Sequence, residues 1–166
     1  MKRNFLTAAS VIITMGIIVI VSCKKEGKNS SSVDANETGK NETKYSSTNS
    51  KESHNMGQNC MSCHKQGGAG EGWFNVAGTV YDTALVKALP NATLKLYSGP
   101  NGTGSLMYTI PVDGLGNFYT TQAINFGSGL YPAVQGATTT KYMNSLITGG
   151  QCNGCHGVST SKIYTQ

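Results

Sequence analysis

The sequence predicts a mainly-β fold: a small antiparallel Greek-key sandwich, flanked by two short C-x-x-C-H segments and preceded by a signal peptide and a disordered linker. Three observations lead there. Short runs rich in β-branched and aromatic residues recur between residues 73 and 147. Glycine-centred turn signals separate them. Outside the N-terminal apolar run, no strong helical periodicity competes with this pattern.

In chain order, the first element is an export signal. Lys2 and Arg3 supply a positive start, and an apolar stretch from Val11 to Val21 follows, interrupted only by Thr14 and Gly16. That stretch is short for a bilayer-spanning helix, which needs about 20 apolar residues. It ends in Ile20-Val21-Ser22-Cys23, which is similar to a bacterial lipobox. The resemblance implies cleavage before Cys23, with residues 1–22 as signal peptide and a lipid on that cysteine. It would also explain the one cysteine of five that lies outside the paired motifs. The alternative is an uncleaved anchor with Cys23 buried.

Residues 23–55 read as the lipidated cysteine and a flexible linker. Lys, Ser, Asn, Thr and Glu dominate there, and Val33 and Tyr45 are among its few apolar groups. Such a composition buries too little surface to offset its ordering entropy. A flexible chain of about 30 residues spans on the order of 30 Å, enough to hold a folded body off a bilayer. The formal charge is +5, or +3 without Lys2 and Arg3. No stripe of Lys and Arg marks the remainder, so nucleic acid is not an expected partner.

The body, residues 73–147, should contain strands at Val76–Tyr81, Ala92–Tyr97, Leu106–Pro111, Gly116–Ile124 and Gly129–Gln135. In the second of these, Ala92, Leu94 and Leu96 alternate with polar or amphipathic neighbours and should face one side. Turns are expected at Gly99-Pro100-Asn101-Gly102, Asp113-Gly114-Leu115-Gly116 and Gly127-Ser128-Gly129. Short strands joined this way suit a sandwich better than βαβ units. The succession Gly78-Thr79-Val80-Tyr81, Ala92-Thr93-Leu94-Lys95-Leu96, Asp113-Gly114-Leu115-Gly116-Asn117-Phe118 and Gly129-Leu130-Tyr131 resembles a carboxypeptidase-regulatory-like, transthyretin-type β-sandwich. That family is a non-catalytic module, so the resemblance implies scaffolding or binding and adds no active site. An immunoglobulin-like sandwich is the nearest alternative.

Residues 56–72 and 148–166 carry the chemistry. Cys60-Met61-Ser62-Cys63-His64 and Cys152-Asn153-Gly154-Cys155-His156 share the pattern C-x-x-C-H, the attachment signature of c-type haem. Two intervening residues make about one helical turn, so both thiols can reach one porphyrin edge. The histidine that follows then offers a ring nitrogen to the iron. Cys60 and Cys63 should therefore hold one covalent haem over His64, and Cys152 and Cys155 a second over His156. Structural disulfides, a zinc–thiolate site and a thioredoxin-like redox pair compete, but none requires histidine after both pairs.

Each iron has a sixth position. His54, the one remaining histidine, is a candidate distal ligand for either haem, or a plain polar residue. Met56, Met107 and Met143 are alternatives, with Met143 best placed before Cys152. An open site would permit small-ligand or peroxide chemistry. Trp73 is the aromatic residue closest after the first motif and a candidate haem neighbour, and most other aromatics should pack between strands.

Together these readings describe an exported, lipid-anchored dihaem cytochrome that transfers single electrons between redox protein partners at the periplasmic side or the cell surface. It would touch the membrane through its lipid and turn over no substrate of its own. The sandwich is small enough to gain stability from its cofactors. A surface binding or adhesion module with zinc or disulfide C-x-x-C pairs is the first alternative, and a haem peroxidase-like enzyme the second.

Overall fold

One strand organises the molecule. β1, Val76–Tyr81, is buried along its whole length. The computed structural model describes residues 42–166; the expected signal peptide, Cys23 and the linker up to residue 41 lie outside the described residues. β1 pairs antiparallel with β4, Asn117–Thr120, with Val76 opposite Thr120. Its other edge pairs in parallel with two short strands in succession, β7 (Gly150–Gln151) beside Val76 and Ala77, then β8 (Ile163–Tyr164) beside Val80 and Tyr81.

The second sheet is antiparallel throughout, in the order β3-β2-β5-β6. Its strands are β2 (Thr93–Tyr97), β3 (Leu106–Pro111), β5 (Tyr131–Gln135) and β6 (Thr140–Tyr142). The protein is thus mainly β, with eight strands in two sheets among the described residues. The first sheet is mixed because β7 and β8 join β1 in parallel.

The core fills the space between the sheets. Val76, Val80 and Phe118 from the first meet Leu94, Leu96, Ile110 and Val134 from the second, with Val112 just past β3. Ala92, Leu94 and Leu96 are all buried, as their alternation predicts. Each large side chain buried here contributes roughly 1.5–3 kcal/mol of transfer free energy. Two expected turns carry the chain between strands. At the β2–β3 turn, Asn101 (φ 54°) and Gly102 (φ 75°) adopt the left-handed conformation that these residue types tolerate. At Asp113–Gly116 the chain crosses from one sheet to the other, and Asp113 Oδ1 accepts from the N–H groups of Leu115 (2.8 Å) and Asn117 (2.9 Å).

The linker expectation needs correction at its C-terminal end. Residues 42–55 lie against the body. Ser46 N–H donates to Tyr119 O, Thr121 N–H donates to Lys44 O, and Tyr45 bridges Thr120. The segment therefore covers the free edge of β4, an edge that would otherwise expose unpaired backbone groups. Its polar composition did not reveal this, because backbone pairing and the buried Ser46 hydroxyl hold it rather than apolar burial. The second motif segment, 148–166, likewise belongs to the sheet through β7 and β8.

Candidate functional site

The two C-x-x-C-H motifs fold alike. Cys60–Ser62 forms a short 3₁₀ turn, and Cys152–Cys155 forms a single helical turn, α1. In each, the histidine N–H donates to the carbonyl of the first cysteine at 2.9 Å: His64 to Cys60 and His156 to Cys152. Each motif is thus closed into one turn with its two cysteine positions on neighbouring sides of it.

The imidazoles are held alike as well. His64 Nδ1 lies 3.0 Å from Glu71 O, and His156 Nδ1 lies 2.7 Å from Ser161 O. A carbonyl only accepts, so the neutral ring carries its proton on Nδ1 and leaves Nε2 with a free lone pair. Fixing the tautomer through the other ring nitrogen is how proteins orient an imidazole toward a metal. The Glu71 carbonyl reaches back because the glycine-rich loop after His64 turns tightly. Gly70 N–H donates to Cys63 O, Phe74 N–H to His64 O, and a Cβ at Gly70 would sit 2.7 Å from the His64 ring. Phe74 stacks on that ring at 4.2 Å between centroids and 8° between planes, and Tyr119 stacks on Phe74 at 4.6 Å.

The fold brings both motifs to β1. Between its pairings with β7 and β8, Thr79 N–H is taken by Asn153 Oδ1 (3.1 Å), so a side chain from inside the second motif fills the gap in the ladder. Asn153 Nδ2 donates to Thr79 Oγ1 (3.0 Å) and to Gln58 O (3.0 Å), two residues before the first motif. Thr79 Oγ1 also accepts from Gly57 N–H (2.8 Å) and donates to Asn117 Oδ1 (2.7 Å). Asn117 Nδ2 donates to Ser53 Oγ and His54 O. Asn153, Thr79 and Asn117 are all buried, so one polar network ties the two motifs together.

Cys152 packs on the hydrophobic core opposite Gly78, where a Cβ would come within 2.9 Å of its own. Burial pushes its thiol up to about 12, with Cys60 and Cys155 adding to the shift. The Cys60 thiol is also raised, chiefly by burial and further by Asp113. Cys60, Cys152 and Cys155 are free thiols, whereas Cys63 is in a disulfide that involves none of these three. Among the described residues no three His, Cys, Asp or Glu side chains converge as a ready metal cluster.

A cavity of about 570 Å³ opens beside the motifs. Met61, Met143, Phe126, Ile147 and Cys155 line it, and its size falls in the range of roughly 300–1,000 Å³ usual for cofactor sites. Of the methionine candidates, Met143 thus shares a cavity with a motif cysteine, while Met56 and Met107 are exposed. His54 stands beside His64, with ring centroids 5.8 Å apart. Trp73 is half-buried, and it is the adjacent Phe74 that covers the motif histidine. Phe74, Thr79, Asn117 and Asn153 were not singled out from sequence for these roles; each has an ordinary core or turn identity until the fold juxtaposes them. No protein-family model, curated protein or solved structure matches the chain.

Proposed function

We propose that this chain is an exported, lipid-anchored dihaem c-type cytochrome that passes single electrons between redox partners. The observation that carries the reading is the matched construction of the two motifs. Each is one closed turn, and each holds its histidine through Nδ1 on a backbone carbonyl. Disulfide pairs or an all-thiolate zinc site, in which no histidine is a ligand, would not call for that second feature twice.

In this reading Cys60 and Cys63 hold one haem and Cys152 and Cys155 the other, with His64 and His156 presenting Nε2 as proximal ligands. Attachment at the first motif requires Cys63 as a reduced thiol. When bound, each haem iron takes up and gives back one electron. The chain's own part is to orient both imidazoles, to cover the His64 ring with Phe74, and to hold the motifs at a set spacing through Asn153 and Thr79. The apolar-lined cavity beside Cys155 would shield part of a macrocycle from water. The lipid on Cys23 would attach the protein at the periplasmic side or the cell surface, with redox proteins as partners.

The test is maturation of the full chain in a host that attaches c-type haem, followed by mass spectrometry and reduced-state absorption. Two covalent haems per chain and a sharp α band are expected. A colourless protein with unmodified cysteines sinks the reading, and bound zinc would favour a surface binding module. Rapid peroxide turnover by the loaded protein would point to the peroxidase-like alternative.

A further inference from the structure

We infer that His54 and His64 ligate the same iron, so that the first haem is bis-imidazole and the two haems of the chain are chemically unequal. The inference rests on the dihaem reading. Two imidazoles bound through nitrogen to one metal, at about 2 Å on each side, place their ring centroids roughly 6 Å apart. The His54 and His64 centroids are 5.8 Å apart, with a tilt of 35°.

His54 is brought there by its own loop. Asn55 takes a left-handed φ of 53°, Gly57 a φ of 82°, and Gln58 N–H donates back to Asn55 O. The reversal returns residue 54 alongside a histidine ten positions later in the chain. The backbone is pinned on both sides of the turn. Buried Asn117 donates to His54 O (3.2 Å), and Gly57 N–H donates to Thr79 Oγ1 (2.8 Å). The other imidazole of the pair is fixed by Glu71 O and by the stack on Phe74. His54 itself is exposed, so its ring can adjust on loading.

The chain has three histidines. With two committed to the first iron, His156 has no second imidazole from its own chain. Its iron is left with Met143, which lines the cavity shared with Cys155, or with an open position. Methionine ligation raises the potential relative to a second histidine, so with Met143 bound the first iron is the lower-potential member of the pair. An electron entering there would move on to the second.

The experiment uses the full dihaem protein and electron paramagnetic resonance with near-infrared dichroism, which report ligands without any turnover. One bis-imidazole low-spin signal per chain is expected. In His54→Ala that signal should be lost and replaced by one high-spin haem, the other haem unchanged, and added free imidazole should restore the low-spin form. In His156→Ala the bis-imidazole signal should persist. Loss of the signal in His156→Ala would put His54 on the second iron and overturn the inference. So would a haem-loaded wild-type chain with no bis-imidazole signal, or a His54→Ala spectrum unchanged from wild type. A wild-type chain that takes up no haem would instead overturn the dihaem reading itself.

Discussion

Replacing Asn153 with alanine tests whether the polar network holds the two motif segments to β1. Asn153 is 3% exposed and makes three hydrogen bonds, two to Thr79 and one to Gln58 O. The substitution leaves the buried Thr79 N–H without its acceptor and removes one donor from the carbonyl of exposed Gln58, which keeps the Cys60 thiol at 3.6 Å, while Thr79 Oγ1 keeps Gly57 and Asn117 as partners. The orphaned N–H costs about 1–3 kcal/mol and the lost bond to Gln58 O about 0.5–1.5 kcal/mol, so the expected loss is about 2–3 kcal/mol. That is a large share of the roughly 5–15 kcal/mol available to a domain. Urea unfolding of the haem-free protein, truncated before residue 42, would measure it as a fall in midpoint at constant m-value. Thr79→Val should cost a similar amount, and the double variant should lose less than the sum, because the residues share bonds. A loss below about 1 kcal/mol for Asn153→Ala, or full additivity with Thr79→Val, would refute the reasoning.

Three further outcomes are expected. Gly70→Ala should displace the His64 ring, since its Cβ would meet that ring at 2.7 Å, and haem loading at the first motif should fall while the second motif loads normally; mass spectrometry of the motif peptides separates the two. Glu71→Ala should leave loading and spectrum unchanged, because the contact to His64 comes from the backbone carbonyl and not the exposed carboxylate. In the haem-free protein, Cys152 is raised from 9.0 to about 12 by burial, so the folded state holds this proton more tightly than the unfolded state. Its stabilising effect is complete below pH 9 and is lost as pH rises from there toward 12, by about 1 kcal/mol for the first unit. Comparing the urea stability of wild type and Cys152→Ala at pH 8 and pH 10 isolates that slope, and parallel curves would count against it.

The strands that hold the core were legible because they pay for themselves in local pattern. Val76–Tyr81 and Leu106–Pro111 appear with the expected bounds, and β2 begins one residue later than expected. The fourth, expected over Gly116–Ile124, ends at Thr120. Beyond it the Thr120 hydroxyl accepts from Gln122 N–H and turns the chain away, a side-chain effect that β-propensity does not register. The strands β6, β7 and β8 are two or three residues long, too short for alternation to show. Their identity comes from the partner strand. The two motifs are visible by spacing alone, and in the proposed reading covalent attachment would dictate that spacing. The placement of His54 could not. It depends on a left-handed Asn55 and on Asn117, a residue 63 positions away.

The placement of the motifs bears directly on how a dihaem carrier would work. The second motif is an excursion from the sheet: the chain leaves β1 after Gln151 and rejoins it at Ile163, with α1 and His156 in between. The first motif is docked onto the same stretch of β1, through Gly57 N–H on the Thr79 hydroxyl and Gln58 O on Asn153. Both segments therefore meet at Thr79, which is fully buried and bonded through its N–H and its hydroxyl. Transfer between bound haems would then depend on this short connection, because the Thr79 network would govern how the two haems face each other.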